Sequence, residues 1–145
     1  MLNDGGALRQ ALSRQGISVS QDISVNAEPK NLSVAGLDIA FASSDGEDDD
    51  VRRLAESLLR AGAKVAVVTR GHKGSFVTNG ARTAAVEATR IQPVDTTGAG
   101  DAFIAGFLDA WLENASMERC LEKGGEAATA ACLHLGGFPQ APAPY

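Results

Sequence analysis

Apolar residues recur with two periods along this chain, and the switches between them predict the order of elements. Residues 5–15 carry Ala7, Leu8, Ala11 and Leu12 at a weak helical spacing. Over residues 17–23 apolar and polar positions alternate, as on a half-buried strand. Residues 37–42 form a short apolar run, which predicts a buried strand. Residues 48–61 place Val51, Leu54, Ala55, Leu58 and Leu59 on one helical face, and Gly62 is positioned to end that helix. A second buried strand is expected over residues 64–69. Residues 75–78 and 82–88 read as strands around Asn79 and Gly80, a strong hairpin signal. Two helices follow, over residues 99–113 and 116–135. Gly136 and Gly137 stop the second, and Pro139, Pro142 and Pro144 make a tail that cannot stay helical.

Strands alternating with helices predict the α/β class, a parallel sheet covered on both faces. At 145 residues the chain makes one domain, residues 1–145. No internal repeat or linker interrupts it, and the polar stretch 21–33 is short enough for a loop. The 18 acidic residues outnumber the 13 basic ones. That balance argues against a nucleic-acid partner, which needs a basic face. No apolar run approaches the roughly 20 residues of a membrane span. The first residues lack a basic region followed by an apolar one, so they do not read as a secretory signal. Cys120 and Cys132 fall in one expected helix, where twelve residues at about 1.5 Å each separate them by about 18 Å. Disulfide partners need Cα atoms within about 7 Å, so two free thiols in a reducing cytoplasm are expected. No His or Cys pair has metal-ligand spacing. His134 is expected on a helix surface.

Residues 95–101 read D-T-T-G-A-G-D and run into the apolar helical pattern Ala102, Phe103, Ile104, Ala105, Gly106, Phe107. Two glycines flanking an alanine at a helix start allow backbone N–H groups to face an anion at close range. The helix dipole adds about half a positive charge there. Asp101 supplies a carboxylate on the same turn. A cradle that neutralises charge, beside a carboxylate that takes a proton from an attacking hydroxyl, suits phosphoryl transfer. The alternative is a glycine-rich helix start used only for tight packing.

This segment resembles the C-terminal signature of the ribokinase-like, PfkB-type carbohydrate kinases. The resemblance implies a three-layer α/β sandwich with a mostly parallel sheet, and a reaction that moves the γ-phosphoryl of ATP to a sugar hydroxyl with Mg2+. It assigns the catalytic base to Asp101 and the anion hole to Gly98, Ala99 and Gly100. The string T-R-G-H-K-G after the expected strand 64–69 is similar to the family's nucleotide loop, which implies Thr69, Gly71 and Gly74 as nucleotide contacts. Ligands of open α/β sheets do sit beyond the carboxyl ends of strands. Lys73 either offers charge to a phosphate or is a solvated turn residue. The family often carries N-x-x-E where this chain has Ser44 and Glu47. Glu47 then orders magnesium-bound water, while capping of the following helix explains the same acidic run. Gly125 stands where the family often has an Asn near the nucleotide, which removes one polar contact. The small residues Gly124, Gly125, Ala127, Ala128, Ala130 and Ala131 fit close packing, direct nucleotide contact, or both.

The wording around Asp22, Ile23 and Ser24, and over residues 36–43, is nearest the fructosamine-sugar kinase branch. Family members are about twice this length, and the resemblance covers only their C-terminal half. The parts that grip the sugar and close the lid have no counterpart in these residues. A sheet deprived of its N-terminal strands invites pairing, so a homo-oligomer or association with a missing N-terminal half is expected. Two other readings stand beside the sugar kinase: a truncated, non-catalytic nucleotide-binding or oligomerisation module, and a kinase of a nucleoside or vitamin-precursor acceptor.

Overall fold

The computed structural model describes residues 7–24 and 33–137. The expected proline tail lies outside the described residues, as does most of the polar loop. The element order is α1 (Ala7–Arg14), β1 (Ser20–Asp22), β2 (Ile39–Ser43), α2 (Asp48–Arg60), β3 (Val65–Thr69), a 3-10 turn (Gly71–Lys73), β4 (Ser75–Thr78), β5 (Thr83–Val86), α3 (Ala99–Leu112) and α4 (Met117–Ala131). These elements fall into two compact units. One holds the residues up to Gly71 together with Ser75–Ala85; the other holds His72–Gly74 and the chain from Val86 onward.

The first unit is a five-stranded sheet in the order β1-β2-β3-β4-β5. β1, β2 and β3 are parallel, with Ser20 opposite Ile39 and Ile39 opposite Val65. β4 turns back antiparallel to β3, with Val68 opposite Phe76. The reversal follows from connection length. Parallel neighbours need a crossover of about a dozen residues, and only a tight turn separates Thr69 from Ser75. The Thr78 hydroxyl and the Asn79 N–H both donate to Arg82 O, which fixes the hairpin to β5.

α2 packs Val51, Ala55 and Leu58 against Ala40, Ala42, Ala66, Val68 and Phe76. The small residues at the middle of that sheet face let the helix approach closely. Truncating Leu58 to alanine there is expected to cost about 2–5 kcal/mol. Residues of the opposite sheet face, Ile39, Phe41, Val65, Val67 and Val77, are buried as well. Such continuous burial explains why these strands read as apolar runs and not as alternating patterns.

Three expected elements are shorter than their patterns, the strand expected over 82–88 spanning only Thr83–Val86. β1 pairs over only three residues. Upstream of it, the ladder is replaced by a side chain: the Asp38 carboxylate accepts from Val19 N–H at 2.8 Å while Asp38 N–H donates to Val19 O. α4 ends at Ala131, four residues early, and the carbonyl of its C-cap residue Cys132 is taken up by a bond from outside the helix. Val94 N–H donates to Cys132 O at 2.8 Å. His134 therefore lies in the turns after the helix, and not on its surface.

The second unit is built on the helical pair α3 and α4. Phe103, Phe107 and Trp111 stack in series along α3, with centroids 6.3 and 6.1 Å apart. Phe107, Cys120 and Leu121 are fully buried. The helices approach closely through two glycines. A Cβ on Gly106 would fall 2.5 Å from Lys123 O, and one on Gly124 would fall 2.8 Å from the Phe103 ring. Ser116 caps α4 by accepting from Arg119 N–H at 3.2 Å. Cys120 and Cys132 are both free thiols.

Candidate active site

The helix start at the D-T-T-G-A-G-D segment is shaped by three local choices. Gly98 caps α3 with φ 77°, a left-handed conformation that side chains resist. It also lies against the chain that follows α4: a Cβ there would sit 2.8 Å from Gly137 Cα. Asp95 holds the approach. Its carboxylate accepts from Thr97 N–H at 2.9 Å and from Gly136 N–H at 3.0 Å. Those two backbone donors, with the Thr97 hydroxyl, pull the Asp95 carboxyl down to about 2.

The result is a turn whose amides divide in function. Ala99 N–H donates to Thr96 O at 3.2 Å, so it is already engaged. Among the described residues the N–H groups of Gly100 and Asp101 find no acceptor; they belong to the orphan donors of the first helical turn. A Cβ placed on Gly100 would meet nothing within 4 Å. Asp101 is exposed on that same first turn. Open donors, the positive end of a 14-residue helix and an exposed carboxylate thus occupy one turn. Of the three residues expected to form the anion hole, Gly98 shapes the turn, Ala99 closes it, and Gly100 presents a free donor. The Asp101 amide is a further free donor that the sequence reading had not singled out.

Two more expected residues belong to this unit. Gly74 has φ 104°, and a Cβ there would be 2.0 Å from Val86 O, so only glycine fits. Its role is to let the chain pass Val86. Gly125, unlike Gly124 beside it, has open space on its Cβ side. It lines a groove of about 190 Å³ with Val86, Glu87, Thr89, Glu122 and Glu126. The small-residue stripe of α4 therefore does two things: Gly124 permits helix packing, and Gly125 leaves a groove open.

Apart from Lys73, which falls in the second unit, the remaining expected residues belong to the sheet unit, at the carboxyl ends of the adjacent parallel strands β2 and β3. Ser44 N–H donates to Thr69 O at 3.0 Å, and the Thr69 hydroxyl reaches Ala42 O at 3.4 Å. Gly71 opens the 3-10 turn that also holds Lys73. Glu47 is the N-cap of α2 and forms a reciprocal capping box with Asp50, whose carboxylate accepts from Glu47 N–H at 3.2 Å. The Ser44 hydroxyl accepts from Gly46 N–H at 3.1 Å. Capping thus occupies Glu47 in this structure, and one turn of chain separates it from Ser44. Arg70, which the sequence did not bring forward, pairs with Asp48 at 2.7 Å.

A mostly parallel α/β sheet with loops gathered at its strand ends, accompanied by helices, has the ribokinase-like fold. Among solved structures the chain is similar to ribokinase of Arabidopsis thaliana complexed with ribose and ATP (25% identity, TM-score 0.80, 89% of this chain and 46% of that one). It is also similar to adenosine kinase of Sinorhizobium meliloti (32% identity, TM-score 0.77, 93% and 46%). Residues 32–144 match the pfkB family of carbohydrate kinases, and the chain belongs to that family. Among curated relatives it is 33% identical to fructoselysine 6-kinase of Escherichia coli over 105 residues, and 32% identical to a fructosamine kinase of Bacillus subtilis over 125. These matches cover 72% and 84% of this chain but only 40% and 44% of those relatives, so the chain spans less than half their length.

Proposed function

We propose that this chain is the nucleotide-binding, catalytic half of an ATP-dependent sugar kinase. The observation that carries the reading is the helix start at residues 98–101, where free amides and an exposed carboxylate share one turn. In the proposed reaction Asp101 accepts the proton of a sugar hydroxyl as its oxygen attacks the γ-phosphorus. The bond to the β,γ-bridging oxygen breaks, and ADP leaves. The Gly100 and Asp101 amides, with the α3 dipole, neutralise charge on the phosphoryl group in flight. Thr69, Gly71, Lys73 and Gly74 form the loop assigned to the nucleotide, and Gly125 is assigned to it as well.

The residues fit a divalent ion brought in on the phosphates. Among the described residues no cluster of three or more His, Cys, Asp or Glu could hold a metal by itself. Mg2+ keeps several waters and binds through substrate phosphates, where it neutralises their charge. Glu47, exposed at the α2 cap, is the residue assigned to orient one of those waters. The acceptor is proposed to be a sugar of the fructosamine type, on the likeness to the two kinases named above. A nucleoside acceptor is the second reading, favoured by the likeness to adenosine kinase. Association with a second copy or with an N-terminal partner half is proposed because β1 ends the sheet as an edge strand among the described residues. A clean monomer by light scattering at micromolar concentration would sink that part.

Calorimetric titration of this chain with Mg·ADP, beside Asp101→Asn, tests the core of the proposal. Saturable one-to-one binding that survives Asp101→Asn is the expected result. Phosphoryl transfer to sugar, measured once an acceptor half is supplied, should vanish in the variant. Equal loss of binding and transfer would contradict the base role, and absence of ADP binding in both would leave only the non-catalytic module.

A further inference from the structure

The loop that carries Glu47 is pinned at both ends to the loop assigned to the nucleotide. At its start, Ser44 N–H donates to Thr69 O at 3.0 Å. At its end, the Asp48 carboxylate meets Arg70 Nη2 at 2.7 Å. Thr69 and Arg70 are consecutive, so residues 44–48 form a short bracket closed on one point of the neighbouring strand end. Glu47 lies inside the bracket, immediately before the ionic pin.

The two partners of that pin are unlike in their surroundings. The Asp48 side chain is 74% exposed, whereas that of Arg70 is only 16% exposed. Arg70 also keeps its Nε buried with no acceptor among the described residues. A buried donor left unpaired is destabilising, and an ion pair with so exposed a partner returns little stability. A guanidinium kept in that position contributes geometry more than folding free energy.

We infer that Arg70 is a positioning residue that acts through Asp48 to fix the α2 cap, and with it Glu47, relative to the nucleotide loop. The inference rests on the assignment of Glu47 to metal-bound water in the proposed function, and it adds a residue that neither the family signature nor the nucleotide loop pattern marks. In this role Arg70 acts through Asp48 and not by contact with nucleotide or metal. Its effect is read in the share of nucleotide affinity that depends on the divalent ion.

The test is calorimetric titration of the 145-residue chain with ADP, once with excess Mg2+ and once with EDTA. Wild type, Arg70→Met, Asp48→Ala and the double variant are compared. In each single variant the Mg2+-dependent gain in ADP affinity should fall by about tenfold, the scale of lost outer-shell support for a metal. The double variant should lose no more than either single one, since both remove the same pin. Affinity in EDTA should be unchanged. Thermal melts accompany each titration, and the exposed Asp48→Ala carries the test if Arg70→Met does not fold. An intact Mg2+ gain in Asp48→Ala overturns the inference, and so does a parallel loss of affinity in EDTA, which would make Arg70 a direct contact. A wild type that binds ADP equally with and without Mg2+ overturns this inference alone. One that binds no ADP overturns the nucleotide reading with it.

Discussion

Two glycines two residues apart in the helix start should respond to alanine in opposite ways. Gly98→Ala forces a side chain into a left-handed conformation, at a cost of about 1–2 kcal/mol. It also places Cβ 2.8 Å from Gly137 Cα and 3.1 Å from Gly137 O. That clash is with backbone, which yields poorly, and overpacking of this kind costs about 1–3 kcal/mol. Together the terms predict a loss of about 2–5 kcal/mol, a large fraction of an ordinary domain's stability. Gly100→Ala adds Cβ where nothing lies within 4 Å, inside the first turn of α3. Replacing a helical glycine by alanine there should gain about 0.5–1 kcal/mol. If the Gly100 and Asp101 amides cradle a phosphate, the new methyl also crowds the anion, and ADP affinity should fall by about tenfold, or 1.4 kcal/mol. Urea denaturation followed by circular dichroism gives the first quantity for each variant, and calorimetric ADP titration gives the second. The expected pattern is Gly98→Ala unstable and Gly100→Ala stable but weak in binding. A Gly98→Ala protein that unfolds with the wild type would refute the packing argument. A Gly100→Ala protein with full ADP affinity would refute the cradle.

Other outcomes follow from single contacts. Gly74→Ala brings Cβ within 2.0 Å of Val86 O, so soluble expression or melting temperature should drop by more than for any exposed glycine, and an unchanged melt would contradict the geometry. Asp95 has its folded carboxyl pulled to about 2 from an ordinary 3.8. Its contribution to stability is therefore present above about pH 4 and is lost as pH falls from there toward 2. Melts of wild type and Asp95→Asn between pH 5 and 2 should converge at the acid end; a constant offset would show that the charge is irrelevant. Gly124→Val should disrupt the α3–α4 contact, where its Cβ meets the Phe103 ring, while Gly125→Val should leave stability intact and narrow the groove. Equal melting of the two variants would refute that division.

Most of the element order was legible because the helical stretches kept one period and the buried strands were short, continuous apolar runs. Residues 48–61 could only bury Val51, Ala55 and Leu58 as a helix, and Asn79-Gly80 could only be a turn. What sequence could not supply were the contacts that trim elements from a distance. The alternation over residues 17–23 continues past the point where Asp38 takes over the bonding of Val19. The helical pattern of α4 runs on to Leu135, but Val94 N–H intercepts Cys132 O. At the candidate site the turn was visible in the spacing of Gly98 and Gly100. Their different duties were not, because one depends on Gly137, thirty-nine positions away in the chain. Arg70 was invisible for a similar reason: its importance lies in Asp48, on another loop.

The clasp at Asp95 has an engineering consequence. Val94 bonds to Cys132, Asp95 to Gly136, and Gly98 touches Gly137, so the stretch from 94 to 137 begins and ends at one place. A segment whose ends meet is suited to circular permutation or to grafting as an insert, since a short linker spans the junction. The same closure makes the residues around Gly137 a poor point for an affinity tag. A fusion there would pull on the strand of chain that holds the helix start in shape.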